Sequence, residues 1–280
     1  MRIQVTLTPA ESKKLISKAV AKMDLVVRAL KDGLIVIHPS TTTMFLVEEI
    51  TGIKPTGRFV YGMVVPKGTC VDRSIIDGLP EKLQKPGELN PWVINRGKLM
   101  CDMKLDDLLS EMKPGDVYIK AGNALDYEGN VGVFVASPAG GTIGRAFAVC
   151  MAKGIDIILP IGLEKLIPIS VREAAKEAGI ERMNYSMGIP VGVFPVTGGI
   201  VITELEAIKI LTGSIAVPIG SGGIGGAEGS VTLIIKGNDQ EVRNTLTVIE
   251  AIKGTKLPEI ASGDCITCTY SRCSLRGNKH

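Results

Sequence analysis

Short aliphatic runs recurring between stretches of helical spacing constrain this chain more than any other feature. Leu34-Ile35-Val36-Ile37, Ile155 to Leu159, Ile215 to Ile219 and Val231 to Ile235 have strand length and are rich in β-branched residues. Arg2 to Leu7 alternates as a strand does. Thr8-Pro9-Ala10-Glu11 then combines a capping box with proline at the first helical position, which predicts a helix to about Leu30 with Gly33 beyond its end. After the strand at Leu34, helical spacing returns over Thr41 to Ile50 and Gly52 stops it. The first fifty or so residues therefore read as a βαβα unit.

The same alternation resumes further on. Asp116 to Lys120 and Val131 to Val135 read as strands around a polar loop, and Thr142 to Lys153 as a helix. Ser170 to Ala178 follows as a helix capped by Ser170. Gly199 to Ile202 is a strand, and Glu204 to Leu211 and Asp239 to Ile252 are helices. Such a pattern predicts a three-layer α/β fold, with a mainly parallel sheet and helices on both faces. Composition agrees: 45% of residues are hydrophobic but only 4% aromatic, so the core is aliphatic, as parallel strands buried on both faces require. The expected division is an α/β domain over 1–255, with packed lobes near 1–115 and 116–255, and a cysteine-rich tail over 256–280.

Between Lys54 and Asn95 the pattern loosens around Pro55, Pro66, Pro80, Pro86 and Pro91. Phe59 to Val65 is a candidate strand there. Lys67 to Trp92 reads as an irregular excursion, either beside a site or across the surface.

With 32 basic and 29 acidic residues the net charge is +3, too balanced to predict a nucleic-acid partner. The N-terminus lacks the apolar core of a signal peptide. The most apolar windows, Val131 to Cys150 and Gly188 to Ile202, are broken by Pro, Gly or Arg, so no membrane span is expected and the cytoplasm is the expected location.

Six cysteines are unevenly spread: Cys70, Cys101 and Cys150 are scattered, whereas Cys265, Cys268 and Cys273 lie close together. The Cys-x-x-Cys gap lets two thiolates reach one ion from a tight turn, and Cys273 can close a face, which suits zinc or an iron–sulfur cluster. His280, a scattered cysteine or substrate is left as the fourth ligand. A redox dithiol and incidental cysteines are the competing readings.

Three loops could hold a ligand. Ser40, Thr41 and Thr42, after His38, offer hydroxyls and backbone N–H groups at a helix start that suit an anion; ordinary capping is the plainer reading. Lys120 to Gly132 places Asn123, Asp126 and Glu128 beyond a strand's carboxyl end, where open α/β sheets bind ligands. Gly140, Gly141 and Thr142 open the next helix as another anion cradle. Asp126 and Glu128 are the candidate acid–base groups and Lys120 an electrostatic stabiliser or a buried structural cation. Gly220 to Gly229 precedes a strand, not a helix, and reads as a hairpin before a lid.

Over residues 10 to 160, the βαβα order with its Thr-rich first turn, Ile119-Lys120-Ala-Gly-Asn123-Ala124 and Gly129-Asn130-Val131-Gly132 resembles the ribose-5-phosphate isomerase, glucosamine-6-phosphate deaminase and coenzyme-A transferase-like superfamily. Asn123 to Gly129 is similar to its lactate-utilisation branch, which is associated with iron–sulfur partners. The resemblance implies a ligand pocket at the strand ends. The superfamily's catalytic motifs are not matched: His38-Pro39-Ser40-Thr41 replaces the glycine-rich turn, and Glu128-Gly129-Asn130 is not the transferase nucleophile motif. The expected function is an enzyme, transferase- or isomerase-like or redox-linked, acting on a small phosphorylated or thioester metabolite, with copies of itself or a redox partner as company. The alternative is a non-catalytic zinc or iron–sulfur accessory protein.

Overall fold

The computed structural model describes residues 1–54, 56–57, 62–70, 76–77, 90–100, 103–258, 265–266, 268 and 270–277. It is a mixed α/β fold. Strand β1 (Arg2–Leu7) leads into helix α1 (Pro9–Lys22), where Thr8 and Glu11 form the expected capping box. The helix expected to reach Leu30 breaks at Met23, which is extended (φ −64°, ψ 135°), and restarts as α2 (Asp24–Asp32). The break lets the two pieces pack differently: α1 lies against other helices, while α2 sits on the central sheet. Strand β2 (Leu34–Ile37) and helix α3 (Thr43–Thr51) follow, and Gly52 ends α3 in the left-handed region (φ 71°).

The loosened stretch holds short pairs, β3 (Thr56–Gly57) with β6 (Ile76–Asp77) and β4 (Met63–Val65) with β5 (Gly68–Cys70). Of the strand expected over Phe59 to Val65, only the end is β4, and residues 58–61 lie outside the described ones. Strands β7 (Trp92–Asn95) and β8 (Lys98–Met100) form a hairpin, then come α4 (Leu105–Glu111), β9 (Val117–Ile119), β10 (Ala124–Leu125), β11 (Val131–Val135) and α5 (Gly141–Lys153). The chain continues through β12 (Asp156–Pro160), a 3-10 turn (Leu163–Lys165), α6 (Val171–Glu177), β13 (Gly192–Val196), β14 (Ile200–Ile202) and α7 (Glu204–Thr212). It closes the regular part with β15 (Ile215–Ser221), β16 (Val231–Lys236) and α8 (Asp239–Ile252).

The central sheet has six strands in the order β14-β12-β9-β2-β7-β8. The first four are parallel, while β7 is antiparallel to β2 and β8 to β7. Outside it the expectation of parallel pairing fails. Strands β1, β16 and β15 form a separate antiparallel sheet, and β10, β11 and β13 another. Both are built from hairpins or sequence-distant returns, which need no helical crossover. The Gly220 to Gly229 segment joins β15 to β16 as a hairpin, as its context predicted.

Period-two alternation sends neighbouring strand residues to opposite faces of the central sheet. Ile35, Ile37, Val117, Ile119 and Ile158 share one core with Leu15, Ile16 and Ala19 of α1 and Leu46 and Val47 of α3. Val36, Tyr118, Ile157 and Leu159 share the other with Leu108 of α4 and Ile143, Ala146 and Cys150 of α5. Among the described residues no helix is long and apolar enough to cross a membrane. Because Thr8 and Glu11 satisfy two helix-end donors reciprocally, Thr8→Ala is expected to cost about 1 kcal/mol in urea unfolding.

Candidate functional site

Four parallel strands present their carboxyl ends along one edge, and each is followed by a polar or charged residue. His38 follows β2, Lys120 follows β9, Glu164 and Lys165 lie just beyond β12, and Glu204 lies just beyond β14. Extending the alternation past the strand ends puts His38 two residues beyond Val36 and Lys120 two beyond Tyr118, on the face that α5 covers. A crossover helix runs antiparallel to its strands, so α5 begins at this same edge.

His38 is 5% exposed, and its backbone is pinned on both sides: its N–H donates to Ile119 O (3.0 Å) and its carbonyl accepts from Thr43 Oγ1 (2.6 Å). The ring tilts against Tyr118 at 5.2 Å, and among the described residues its Nε2 has no hydrogen-bond partner. Burial, followed by the positive charges of Lys120 and Arg145, holds the imidazole well below its usual pKa, so it is neutral at pH 7. The Tyr118 hydroxyl is also buried without a partner, and burial pushes its pKa well up. Lys120 is partly buried, and desolvation alone brings its pKa down to about 8. Its backbone N–H donates to Ile158 O (3.0 Å), but among the described residues its ammonium has no ion-pair or hydrogen-bond partner. That is a cation left uncompensated by the fold itself.

A second charged group follows β12 at the same edge. Lys165 Nζ donates to Gly122 O (2.7 Å), and burial, with Lys13 nearby, lowers its pKa to about 8. Lys13 pairs with Glu164 and is itself 5% exposed. Glu204, fully buried, accepts from Leu163 N–H at 2.9 Å through Oε2. Burial raises its pKa, with the Ser12 hydroxyl nearby pulling the other way. Thr203 holds Glu204 in place by capping α7 in a box with Glu206.

Not every residue singled out by sequence has a free functional group. Ser40 Oγ already accepts from the N–H groups of Thr42 (3.3 Å) and Thr43 (3.1 Å), so capping uses the donors an anion would need. Thr42 is buried and Thr41 half-buried. Asn123 staples the hairpin of β10 and β11, its N–H donating to Gly132 O (2.8 Å) and its Oδ1 accepting from Phe134 N–H (3.0 Å). Asp126 is 2% exposed and accepts from the N–H groups of Glu128 (3.0 Å), Asn130 (2.8 Å) and Val171 (2.9 Å), and from the Asn130 amide. Burial works to raise its pKa, but those hydrogen bonds outweigh it and hold the carboxylate below the usual range. These bonds make it a clamp on the loop. Glu128 is exposed, and its side chain accepts from the Asn130 amide (3.2 Å). Gly140 (φ 78°) and Gly141 (φ 62°) open α5 without a side-chain cap, leaving the first-turn amides, including that of Thr142, available.

In the tail, Cys265 is buried, Cys268 and Cys273 are partly exposed, and all three thiols are free. Gly277 N–H donates to Cys265 O (2.8 Å) and Cys273 N–H to Tyr270 O (3.3 Å). Arg272 pairs with Glu181 at 2.7 Å. Among the described residues no three His, Cys, Asp or Glu side chains already form a cage for a metal ion. His280 and Cys101 lie outside the described residues. Cys150 is a core thiol of α5 whose pKa burial raises to about 11, which makes it inert.

Lys165, Glu164, Glu204 and Lys13 were missed by the sequence reading. The signal for the first two was their position just past a strand's carboxyl end; Glu204 looks like an ordinary first-turn acid. The sequence matches no family model and no curated protein.

Proposed function

We propose that this chain is an enzyme whose pocket binds a small anionic metabolite, phosphorylated or carried as a thioester, at the carboxyl edge of β2, β9, β12 and β14. This is the pocket position that resemblance to the isomerase and coenzyme-A transferase-like superfamily implies. One observation carries the reading: Lys120 is a desolvated ammonium that no described residue neutralises, beside a buried His38 with an idle ring nitrogen. An anionic substrate is the natural counter-charge, and the uncapped start of α5 at Gly140, Gly141 and Thr142 adds backbone donors at the same edge. In this reading Lys120 and Lys165 bind charge, and neutral His38 takes or gives the proton that Asp126 cannot. Zinc or an iron–sulfur cluster on Cys265, Cys268 and Cys273 holds the tail.

The pocket is tested by titrating the protein with inorganic phosphate, a sugar phosphate and coenzyme A in a calorimeter. Charge-assisted hydrogen bonds contribute about 1.5–3 kcal/mol each, so Lys120→Met is expected to weaken the best ligand about 10- to 100-fold. Binding is also expected to fall as pH rises through about 8, where Lys120 loses its proton. No binding by any of the three, or equal affinity in Lys120→Met, would sink the pocket.

A further inference from the structure

We propose that Cys70 joins Cys265, Cys268 and Cys273 in one four-thiolate centre, filled by zinc or an iron–sulfur cluster, that fastens the C-terminal segment to the hairpin of β4 and β5. This deepens the metal reading of the tail given above and rests on it.

The chain path brings these residues together. Cys70 ends β5, and its neighbour Thr69 pairs in parallel with Gly188: Thr69 N–H donates to Met187 O (3.3 Å) and Ile189 N–H to Thr69 O (2.6 Å). The contact is tight enough to exclude side chains. A Cβ on Gly68 would collide with Met187 O, and one on Gly188 with Thr69 O. Two residues back along the same thread, Ser186 binds the tail. Ser186 N–H donates to Ser274 Oγ (3.0 Å), and Ser274 N–H donates to Ser186 O (3.0 Å). Cys273 adjoins Ser274.

Thread positions two residues apart are separated by at most about 7 Å, the span of extended chain, so Cys70 and Cys273 are delivered to neighbouring places from opposite ends of the sequence. Arg276 N–H donates to Cys273 O (3.2 Å) and Gly277 N–H to Cys265 O (2.8 Å), which ties the backbone at Cys265 to the turn that follows Cys273. The thiols of Cys265, Cys273 and Cys268 all lie within electrostatic reach of Cys70.

Gathering four reduced thiols costs repulsion once they ionise, and a thiophilic cation reverses its sign. Zinc and iron–sulfur clusters both take four thiolates, and a closed site of this kind contributes directly to folding. The tail needs such help: among its described residues beyond Ile252 there is no helix or strand. Binding would draw the thiols from their present spacing to the metal–sulfur distance, about 2.3 Å for zinc.

The test is metal analysis of full-length protein purified without oxygen, alongside Cys70→Ser, Cys273→Ser and Cys150→Ala. We expect either one zinc per chain, or iron with sulfide and a brown colour. Cys70→Ser and Cys273→Ser should each lose most of it, and Cys150→Ala none. Chelation should open the tail to protease, as Cys70→Ser does alone, while the far-ultraviolet circular dichroism of the body stays unchanged. Cobalt titration gives a readout independent of occupancy at purification, since its thiolate charge-transfer intensity should drop in Cys70→Ser. A wild-type chain that holds neither metal and takes up neither zinc nor cobalt overturns the metal reading altogether. Full occupancy in Cys70→Ser with loss in Cys273→Ser overturns only the role of Cys70. The anion pocket is untouched by either result.

Discussion

Lys120→Met should make the protein more stable at pH 7 while weakening its affinity for anions. Burial brings the folded-state pKa of Lys120 from 10.5 to about 8. The unfolded chain therefore holds the proton more tightly than the folded one, and the charged residue opposes folding. That penalty is complete below pH 8, shrinks between pH 8 and 10.5, and is gone above. The displacement corresponds to a cost on the order of 3 kcal/mol, and the residue's partial exposure trims this to about 1–2 kcal/mol. Methionine retains an unbranched apolar stem and carries no charge. Urea unfolding at pH 7 should show a gain of about 1–2 kcal/mol that declines as the pH approaches 10. Lys165→Met should gain less, since Lys165 Nζ satisfies Gly122 O and its loss leaves that carbonyl without this donor. A less stable Lys120→Met variant would mean that the ammonium is compensated after all. Opposite effects on stability and binding are expected where a residue is kept for function at the expense of folding.

That opposition separates what could be read in the sequence from what could not. Elements with local signals were readable: the Thr8 capping box, the Ser170 cap of α6 and the limits of β11 and α8 each depend on residues within a turn or two. Helix α4 was equally readable and missed, for Leu105, Leu108, Leu109 and Met112 have helical spacing and all are buried. The hairpin of β7 and β8 was not, because its turn places Arg96 at φ 48° before Gly97 at φ 76°, and arginine is no turn signal there. Strand β13 contains Pro195, which argues against a central strand; it is tolerated because β13 is an edge.

The candidate site divides the same way. Lys120 stood out because it ends an aliphatic strand, and position at a strand end is local information. Its lack of a partner is not, since that depends on what β2, α5 and the turn after β12 bring near it. The pairing of Lys13 with Glu164 and the link between Cys70 and the tail cysteines join distant stretches of chain, and no spacing rule connects them.

Asp126 is a carboxylate placed where catalysis is expected, and its hydrogen bonds among the described residues hold architecture. It ties the turn at Glu128 and Asn130 to the first residue of α6 through Val171 N–H. Asp126→Asn would keep one acceptor oxygen but turn an amide NH2 toward a backbone N–H or the Asn130 amide, setting donor against donor. Losing charge-assisted bonds and leaving a buried donor unpaired should cost about 2–4 kcal/mol in urea unfolding. Its pKa is lowered by folding, so the contribution is complete above the ordinary carboxylate range and is lost as pH falls through the depressed folded value. The difference between wild type and Asp126→Asn should therefore be full at pH 7 and narrow only in strong acid. Anion binding at Lys120 should survive in the variant under conditions where it remains folded. A loss under about 1 kcal/mol, combined with abolished turnover once a substrate is known, would return Asp126 to the chemistry and displace His38 from it.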